Sequence, residues 1–202
     1  MVATDKPAYK VVGTRPIRPD GTDKVTGRAT YGADLNMEGM LYGAILRSPH
    51  AHARIKRIDT SKAEALPGVF AVATNADFPR VEASTMSIGE GTANPVWLID
   101  NLLAGEKVLY HGHAIAAVAA VDQHTAEDAC ALIEVEYEVL PAVVDVREAM
   151  LDTAPILHDD LRTAVRARGV DAAPDKPTNV ALHMRLEKGD LDKGFEEADV
   201  VI

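Results

Sequence analysis

Residues 125–141 read Thr-Ala-Glu-Asp-Ala-Cys-Ala-Leu-Ile-Glu-Val-Glu-Tyr-Glu-Val-Leu-Pro, and two periodicities meet inside them. Ala126, Ala129, Cys130 and Ile133 recur at i, i+3, i+4 and i+7, the spacing that lines one face of a helix with apolar side chains. From Ile133 the period drops to two. Ile133, Val135, Tyr137 and Val139 alternate with Glu134, Glu136 and Glu138, which marks a strand with one buried face and one wet face. The stretch predicts a helix over about Ala126–Leu132 that runs straight into a strand over Ile133–Leu140, ended by Pro141. Thr125 and Asp128 suggest a capping box at the helix start, with Asp in the place usually held by Glu.

Upstream, two buried strands are expected at Val108–Tyr110 and Ala114–Val121, joined by a bend at His111-Gly112-His113. Further back, a strand at about Leu41–Arg47 puts Tyr42, Ala44 and Leu46 on one face, and a second covers Ala53–Asp59. Thr60 or Ser61 can cap a short helix at Lys62–Leu66 through a side-chain oxygen. Pro67-Gly68 stops it. Val69–Ala73 is apolar throughout and reads as a strand buried on both faces. Residues 74–106 are rich in turn formers and read as irregular, with Trp97 and Leu98 anchoring them to the core. The first forty residues are an extended lead-in, because Pro16 and Pro19 lack an N–H and restrict the residues before them.

Downstream, residues 141–178 carry Pro155, Pro174 and Pro177 with little periodicity and read as a long surface excursion, a type of segment often used for interaction. Asn179–Glu187 alternates as a strand. Gly189-Asp190 turns into a short helix with Leu191, Phe195 and Ala198 on one face. Val200-Val201-Ile202 reads as the start of another strand, which implies a larger protein, since an unpaired apolar edge is an aggregation hazard. The organisation expected is a lead-in over 1–40, a core over 41–140, a surface loop over 141–178, and a connection over 179–202. Few, short helices among many strands favour an α+β fold with mixed sheets over a doubly wound parallel sheet.

Composition narrows the class. A chain of 202 residues with 47% hydrophobic and 26% charged residues is ordinary globular material, neither disordered nor collagenous. Aromatics are only 4%, so the core is built from Ala and Val. The net charge of −10 argues against nucleic acid, whose phosphates demand a positive surface. One cysteine, Cys130, excludes an internal disulfide and suits a reducing compartment. The longest apolar run, Ala114–Val121, is far short of the roughly 20 residues that span a bilayer. A soluble, cytoplasmic protein with no membrane contact is expected.

Several constellations invite a chemical reading. In His50/His52 and His111/His113, residues i and i+2 of a strand would face the same way and could share a metal. Neither pair has a third ligand at a convincing spacing. The plainer expectation is that His50 and His52 bond to backbone at a strand end, while His111 and His113 sit in a bend. Cys130 lies on the apolar face of an Ala-rich helix beside Glu127 and Glu134, which suits a structural thiol better than a nucleophile. Glu134, Glu136 and Glu138 alternate as a solvated ladder rather than an acid/base pair. Gly89-Glu90-Gly91 is no phosphate loop, and no GxxxxGK[ST], GxGxxG or GxSxG is present. No catalytic, cofactor-binding or metal-ligating residue is assigned.

The blocks nevertheless fall in a recognisable order. They begin with Val12-Gly13-Thr14-Arg15, Lys24-Val25-Thr26-Gly27-Arg28-Ala29-Thr30-Tyr31 and Asp34. Next come Leu46-Arg47-Ser48-Pro49-His50-Ala51-His52-Ala53, Ile58-Asp59, Pro67-Gly68-Val69 and Val135-Glu136-Tyr137-Glu138-Val139-Leu140-Pro141. Gly189-Asp190 and Phe195-Glu196-Glu197-Ala198-Asp199-Val200-Val201 close the series. Together these resemble the N-terminal α/β-hammerhead domain of the molybdopterin-binding large subunit in the xanthine dehydrogenase/aldehyde oxidase family. One departure is Gly112-His113-Ala114-Ile115-Ala116, where that family often has Gly-Glu-Pro-Val-Ala.

The resemblance implies a scaffold and interface role within a molybdenum-dependent oxidoreductase. Such enzymes hydroxylate aldehydes or N-heterocycles with water-derived oxygen, and related members oxidise carbon monoxide or reduce aromatic thioesters. It also implies molybdopterin in the assembled enzyme, and [2Fe–2S] clusters and FAD in partner subunits or domains. The pterin loops and the catalytic glutamate of the family lie beyond the hammerhead, so no role is carried onto a residue here. Two competing readings are a stand-alone binding or structural module without redox activity, and an independent metalloenzyme using the His pairs.

Overall fold

The computed structural model describes residues 9–89, 91–166, 175–186 and 188–201, apart from the side chains of Gly91 and Thr92. The chain divides into two units, Met1–Met40 and Leu41–Ile202. In the first, helix α1 (Gly21–Val25) begins just past Pro19, where the proline restriction has ended. Asp20 receives Arg18 at 2.5 Å and Lys24 at 2.6 Å, and those two cations lower its carboxyl pKa. A single 3₁₀ turn at Gly32–Asp34 is held by the Asp34 carboxylate accepting from the Tyr31 N–H at 2.9 Å.

The second unit is organised by two three-stranded antiparallel sheets. One has the order β1 (Tyr42–Arg47), β7 (Ala114–Ala120), β3 (Val69–Thr74). The other has the order β6 (Lys107–Val108), β2 (Ala53–Asp59), β8 (Glu134–Val139). Helices α2 (Ser61–Glu64) and α4 (Gln123–Leu132) pack on each other, and α4 lies against β1 and β7. Ala63, Ala116, Val118, Ala129 and Ile133 form the buried cluster beneath them. Small side chains at Ala63, Ala116 and Ala129 leave room for this close helix–sheet contact.

A second cluster of Ala53, Ala104, Val108 and Ile115 joins the two sheets, with Leu46, Ile55, Ile58 and Tyr137 around it. Ile115 enters this cluster because the β1–β7 register slips between Leu46 and Arg47. Leu46 pairs with Ala116 and Arg47 with Ala114, so Ile115 is the extra residue of a bulge, a feature that re-aims a side chain.

The hairpin of β4 (Met86–Ile88) and β5 (Gly91–Ala93) and helix α3 (Pro95–Leu102) occupy much of the stretch expected to be irregular. Pro95 reads as a breaker, yet at the first helical position its missing N–H costs nothing. Asn94 caps α3, its side chain accepting from the Val96 N–H at 3.0 Å. Beyond β8 come α5 (Val146–Ala149), capped by Asp145, the parallel pair β9 (Ala164–Arg166) and β10 (Leu182–Met184), and α6 (Leu191–Glu196).

Several expectations need correction. Helix α4 starts three residues earlier than the capping box suggests. Its cap is Asp122, whose carboxylate accepts from the Thr125 N–H at 2.7 Å. Thr125 thus supplies the amide that is capped rather than the cap. On α2 neither Thr60 nor Ser61 caps the backbone with its side chain. The Thr60 hydroxyl goes to Glu64, and Asp59 receives the Ser61 N–H. Strand β3 is not buried on both faces: it is an edge strand, and Phe70 is 67% exposed.

Val108–Tyr110 shortens to Lys107–Val108 and pairs with β2 rather than with the following strand. Asn179–Glu187 shortens to β10, with Glu187 outside the described residues. Asp190 does cap α6, accepting from the Lys193 N–H at 3.1 Å, but Leu191 and Phe195 are exposed. Val200 and Val201 are exposed and irregular, and Ile202 lies outside the described residues.

Candidate functional site

The two histidine pairs lie near one another, at a junction of three chain segments: the Ser48–His52 loop, the His111–His113 bend and the end of β8. The junction begins with Ser48, which is 2% exposed. Its N–H donates to the His113 carbonyl at 2.9 Å, and its own carbonyl accepts from Gly112 N–H at 2.9 Å. Its hydroxyl accepts from the His50 N–H at 3.0 Å. Arg47 adds a bond from its guanidinium to the Gly112 carbonyl at 2.9 Å. Gly112 sits at φ +82°, in the left-handed region that glycine reaches without a Cβ penalty.

Within each pair the two histidines have different surroundings. The His113 ring is fully buried and stacks on Tyr110 at a centroid distance of 4.3 Å. Its Nε2 lies 2.8 Å from the Asp100 carbonyl, which can only accept, so Nε2 carries the proton. Its Nδ1 then accepts from the Leu109 N–H at 3.3 Å. Both nitrogens are used by backbone, and burial depresses the pKa, so the neutral ring is favoured. His111 is exposed. The departure from Gly-Glu-Pro-Val-Ala therefore places a neutral side chain, bonded through both nitrogens, at a fully buried position.

His52 is 4% exposed, and its Nδ1 donates to the Pro141 carbonyl at 2.7 Å. Leu140 N–H returns a bond to the His52 carbonyl at 3.0 Å. The buried Nε2 of His52 has no hydrogen-bond partner among the described residues. The His50 ring meets the Tyr137 ring edge-on, with centroids 4.9 Å apart. Tyr137 is partly buried, which pushes its phenol pKa up. The Leu46–Ala53 and Val135–Pro141 motifs, far apart in sequence, are thus one structure. Bonding to backbone at the strand end, expected for His50 and His52, is what His52 does through Pro141.

In neither pair do the two rings share surroundings: His52 and His113 are buried, His111 is exposed and His50 lies against Tyr137. Among the described residues no group of three or more His, Cys, Asp or Glu is placed to hold a metal ion. The chain's one cysteine, Cys130, cannot by itself hold a [2Fe–2S] cluster, which takes four thiolates. Cys130 is partly buried, and burial together with Glu127 pushes its thiol pKa up, the opposite of an activated nucleophile.

The acidic ladder is exposed, and two of its three glutamates have ion-pair partners. Glu138 meets Lys56 at 2.8 Å and Arg54 at 4.0 Å across the β2–β8 pairing, and Glu134 pairs with Lys62. Such exposed pairs contribute little, because water screens them. Sequence reasoning missed these partners, although Arg54, Lys56 and Lys62 were visible beside the expected second strand.

An open groove of about 740 Å³ lies elsewhere in the second unit, with Ile55, Ile58, Val96, Trp97 and Leu157 among its lining residues. Trp97 Nε1–H donates to Asp160 at 3.2 Å, and Lys107 pairs with Asp159 at 2.8 Å. Of the groove's charged residues, Lys107 and Asp159 pair with each other, while Lys56 pairs with Glu138 and Arg57 with Asp59 outside the groove; among the described residues no buried unpaired polar group points from it to a ligand. Trp97 is partly buried, whereas Leu98 is exposed, so Trp97 is the better anchor of the two. Glu90 of the Gly89-Glu90-Gly91 segment lies outside the described residues.

The fold and its motifs can be set beside known proteins. Residues 26–141 match the family described as aldehyde oxidase and xanthine dehydrogenase, a/b hammerhead domain. The carbon monoxide dehydrogenase large chain of Afipia carboxidovorans is 42% identical over 178 residues, which cover 87% of this chain and 21% of that one. A probable xanthine dehydrogenase subunit of Bacillus subtilis is 37% identical, over 92% of this chain and 21% of the other. Among solved structures, the Cu,Mo-CO dehydrogenase in its carbon monoxide reduced state aligns with a TM-score of 0.68 at 38% identity. That alignment covers 93% of this chain and 23% of the other. The aldehyde oxidoreductase of Desulfovibrio gigas aligns with a TM-score of 0.57 at 33% identity, covering 71% and 16%.

The chain thus spans about a fifth of the length of the curated relatives it matches. The matched region runs from just after α1 to Pro141, taking in both three-stranded sheets, α4 and the histidine junction. On that match, the chain belongs to the a/b hammerhead family of aldehyde oxidases and xanthine dehydrogenases.

Proposed function

We propose that this chain is the hammerhead portion of a molybdenum hydroxylase large subunit, serving as scaffold and interface while catalysis belongs to the assembled enzyme. The observation that carries this reading is the coincidence of family match and geometry. Two motif blocks of the match, Leu46–Ala53 and Val135–Pro141, meet at a junction where backbone binds both nitrogens of His113 and the Nδ1 of His52. Their bonds tie together the ends of paired strands, β1 to β7 at Ser48 and β2 to β8 at His52, which supports a structural role.

On this reading the assembled enzyme oxidises or hydroxylates an aldehyde or N-heterocycle with oxygen from water. Molybdopterin is held by the rest of the large subunit, and [2Fe–2S] clusters and FAD by partner subunits or domains. Relatives that carry names such as nicotine 6-hydroxylase large subunit and carbon monoxide dehydrogenase large chain support the reaction class. The organisation proposed is a lead-in over 1–40, the core over 41–140, an excursion over 141–178 and a connection over 179–202. The location proposed is cytoplasmic. No helix among the described residues is long and apolar enough to cross a membrane.

The test is purification of the tagged chain from its native host, with molybdenum measured per mole of chain. Stoichiometric molybdenum, in the same polypeptide or in a tightly bound one carrying molybdopterin, is the expected result. A folded, monomeric chain free of molybdenum in that host would instead favour the stand-alone module.

A further inference from the structure

We propose that the outer face of the β1–β7–β3 sheet is a docking surface for an uncharged, apolar element of the remaining large chain. The inference rests on the reading just given and goes beyond it by locating the contact. It begins from a mismatch between sequence and structure. Strand β7 reads Ala-Ile-Ala-Ala-Val-Ala-Ala and β3 reads Val-Phe-Ala-Val-Ala-Thr. A strand that is wet on one face alternates apolar with polar, and one that is buried on both faces is apolar throughout. Both strands have the second pattern as far as Thr74 at the end of β3, yet the described residues cover only one side of them.

The register identifies the uncovered side. Gly43 pairs with Ala119, which pairs with Ala71; Ile45 pairs with Ala117, which pairs with Ala73. These two cross-strand rows carry no polar side chain, and the next residue on the same side of β1 is Arg47, whose guanidinium donates to the Gly112 carbonyl. On the opposite side of the same central strand, Ala116, Val118 and Ala120 are buried beneath the helices. Ala117 and Ala119 stay partly exposed despite their central position, Ala71 is exposed, and Ile45 is 49% exposed. A Cβ built at Gly43 would meet only the Val118 carbonyl oxygen, at 3.8 Å, so no described side chain lies over it. Phe70, at the bulge between Val69 and Ala71, adds a ring that is 67% exposed.

A contiguous apolar face of this kind marks an interaction site. The occupant is argued from length. The chain spans about a fifth of its curated relatives, so most of a family-length large chain is available to cover this face. Within the two rows a shallow Gly/Ala relief offers no charge to a charged partner, and Arg47 at their end has its guanidinium on the Gly112 carbonyl. It suits large aliphatic or aromatic side chains laid flat upon it.

Two variants test the proposal in a background where Cys130 is replaced by serine. Ala119→Cys reports burial through its rate of maleimide labelling, in the chain alone and in the molybdenum-containing complex purified from the native host. The expected result is rapid labelling in the chain alone and labelling at least tenfold slower in the complex. Ala119→Arg is expected to leave the circular dichroism and melting of the chain alone unchanged and to cut its recovery in the molybdenum complex at least tenfold. Equal labelling in chain and complex, normal assembly of Ala119→Arg, or unfolding of the isolated Ala119→Arg chain would each overturn the docking face while leaving the proposed function intact. If the wild-type chain enters no molybdenum complex, the function and the docking face fall together.

Discussion

Replacing His113 by alanine removes a ring that is fully buried and bonded at both nitrogens. The Asp100 carbonyl would lose its donor and the Leu109 N–H its acceptor. A buried polar group left unpaired costs about 1–3 kcal/mol. The void left by the ring adds to this, since large-to-small core substitutions carry a cavity penalty. Taken together, a loss of about 3–5 kcal/mol is expected. That is a large share of the roughly 5–15 kcal/mol by which a domain is stable. At roughly 2–4 °C per kcal/mol for a chain of this size, the melting midpoint should fall by about 10 °C. Urea denaturation followed by tyrosine and tryptophan fluorescence gives the same quantity independently. A midpoint lowered by less than about 3 °C would refute the account of His113 as a pillar of the junction.

The same residue predicts how stability responds to acid. Burial lowers the pKa of His113 in the folded chain, so below the ordinary histidine value the unfolded state binds a proton that the folded state does not. Stability rises with pH wherever the unfolded state holds more protons. The contribution is therefore complete above about pH 6.5 and is lost as pH falls below it, by up to about 1.4 kcal/mol per pH unit, until the folded pKa is reached. His113→Gln keeps a donor and an acceptor but cannot titrate. Its unfolding free energy should lack one proton's worth of this slope as pH falls below about 6.5. An unchanged slope would assign the acid sensitivity to other groups.

Three further outcomes follow from local geometry. Gly68→Ala should destabilise by more than about 2 kcal/mol, because φ is +94° and the new methyl would sit 2.9 Å from Val121 Cγ2; a denaturation midpoint equal to wild type would contradict it. Cys130 should react with a disulfide reagent at about pH 7 at least roughly tenfold more slowly than free cysteine, since burial and Glu127 raise its pKa; fast labelling of the native chain would sink that reading. Asp122→Ala should lower thermal stability modestly at neutral pH and become equivalent to wild type in strong acid. The Thr125 amide holds the Asp122 pKa down, so its stabilisation exists above the unfolded value and is lost as pH falls through the folded one. Melting curves at neutral and strongly acidic pH check the convergence.

Where periodicity and a single neighbour decide the outcome, the sequence was readable. β1 alternates with Tyr42, Ala44 and Leu46 inward, and β8 alternates with its glutamates outward as far as Glu138, although Val139, expected on the buried face, is exposed. α4 follows its apolar spacing, and Asp190 caps α6. Legibility failed where a residue type serves two opposite purposes. Pro95 punctuates loops and also starts helices, and only the Asn94 cap beside it separates the two uses. At the start of α4, Asp122 and Thr125 are both good caps. The choice turns on which side chain can reach a free amide, and Asp122 reaches that of Thr125 itself.

The junction was partly legible for a different reason. Each histidine pair is a local motif, and local spacing says only what could share a face if the backbone were a regular strand. At 111–113 it is not: Gly112 takes a positive φ, and one ring turns into the core while the other stays in water. At 50–52 the His52 partner is a carbonyl 89 residues away, a separation that no window of sequence reports. The recurrence of both blocks in one ordered motif series was the accessible hint that they touch. Apolar runs carry information of a third kind. The sequence of β3 and β7 describes burial on two faces, and the structure of this chain supplies it on one. Read as an error, that is a misjudged edge strand. Read as a property of the sequence, it specifies a layer that must come from elsewhere, and the labelling of Ala119→Cys decides between the two.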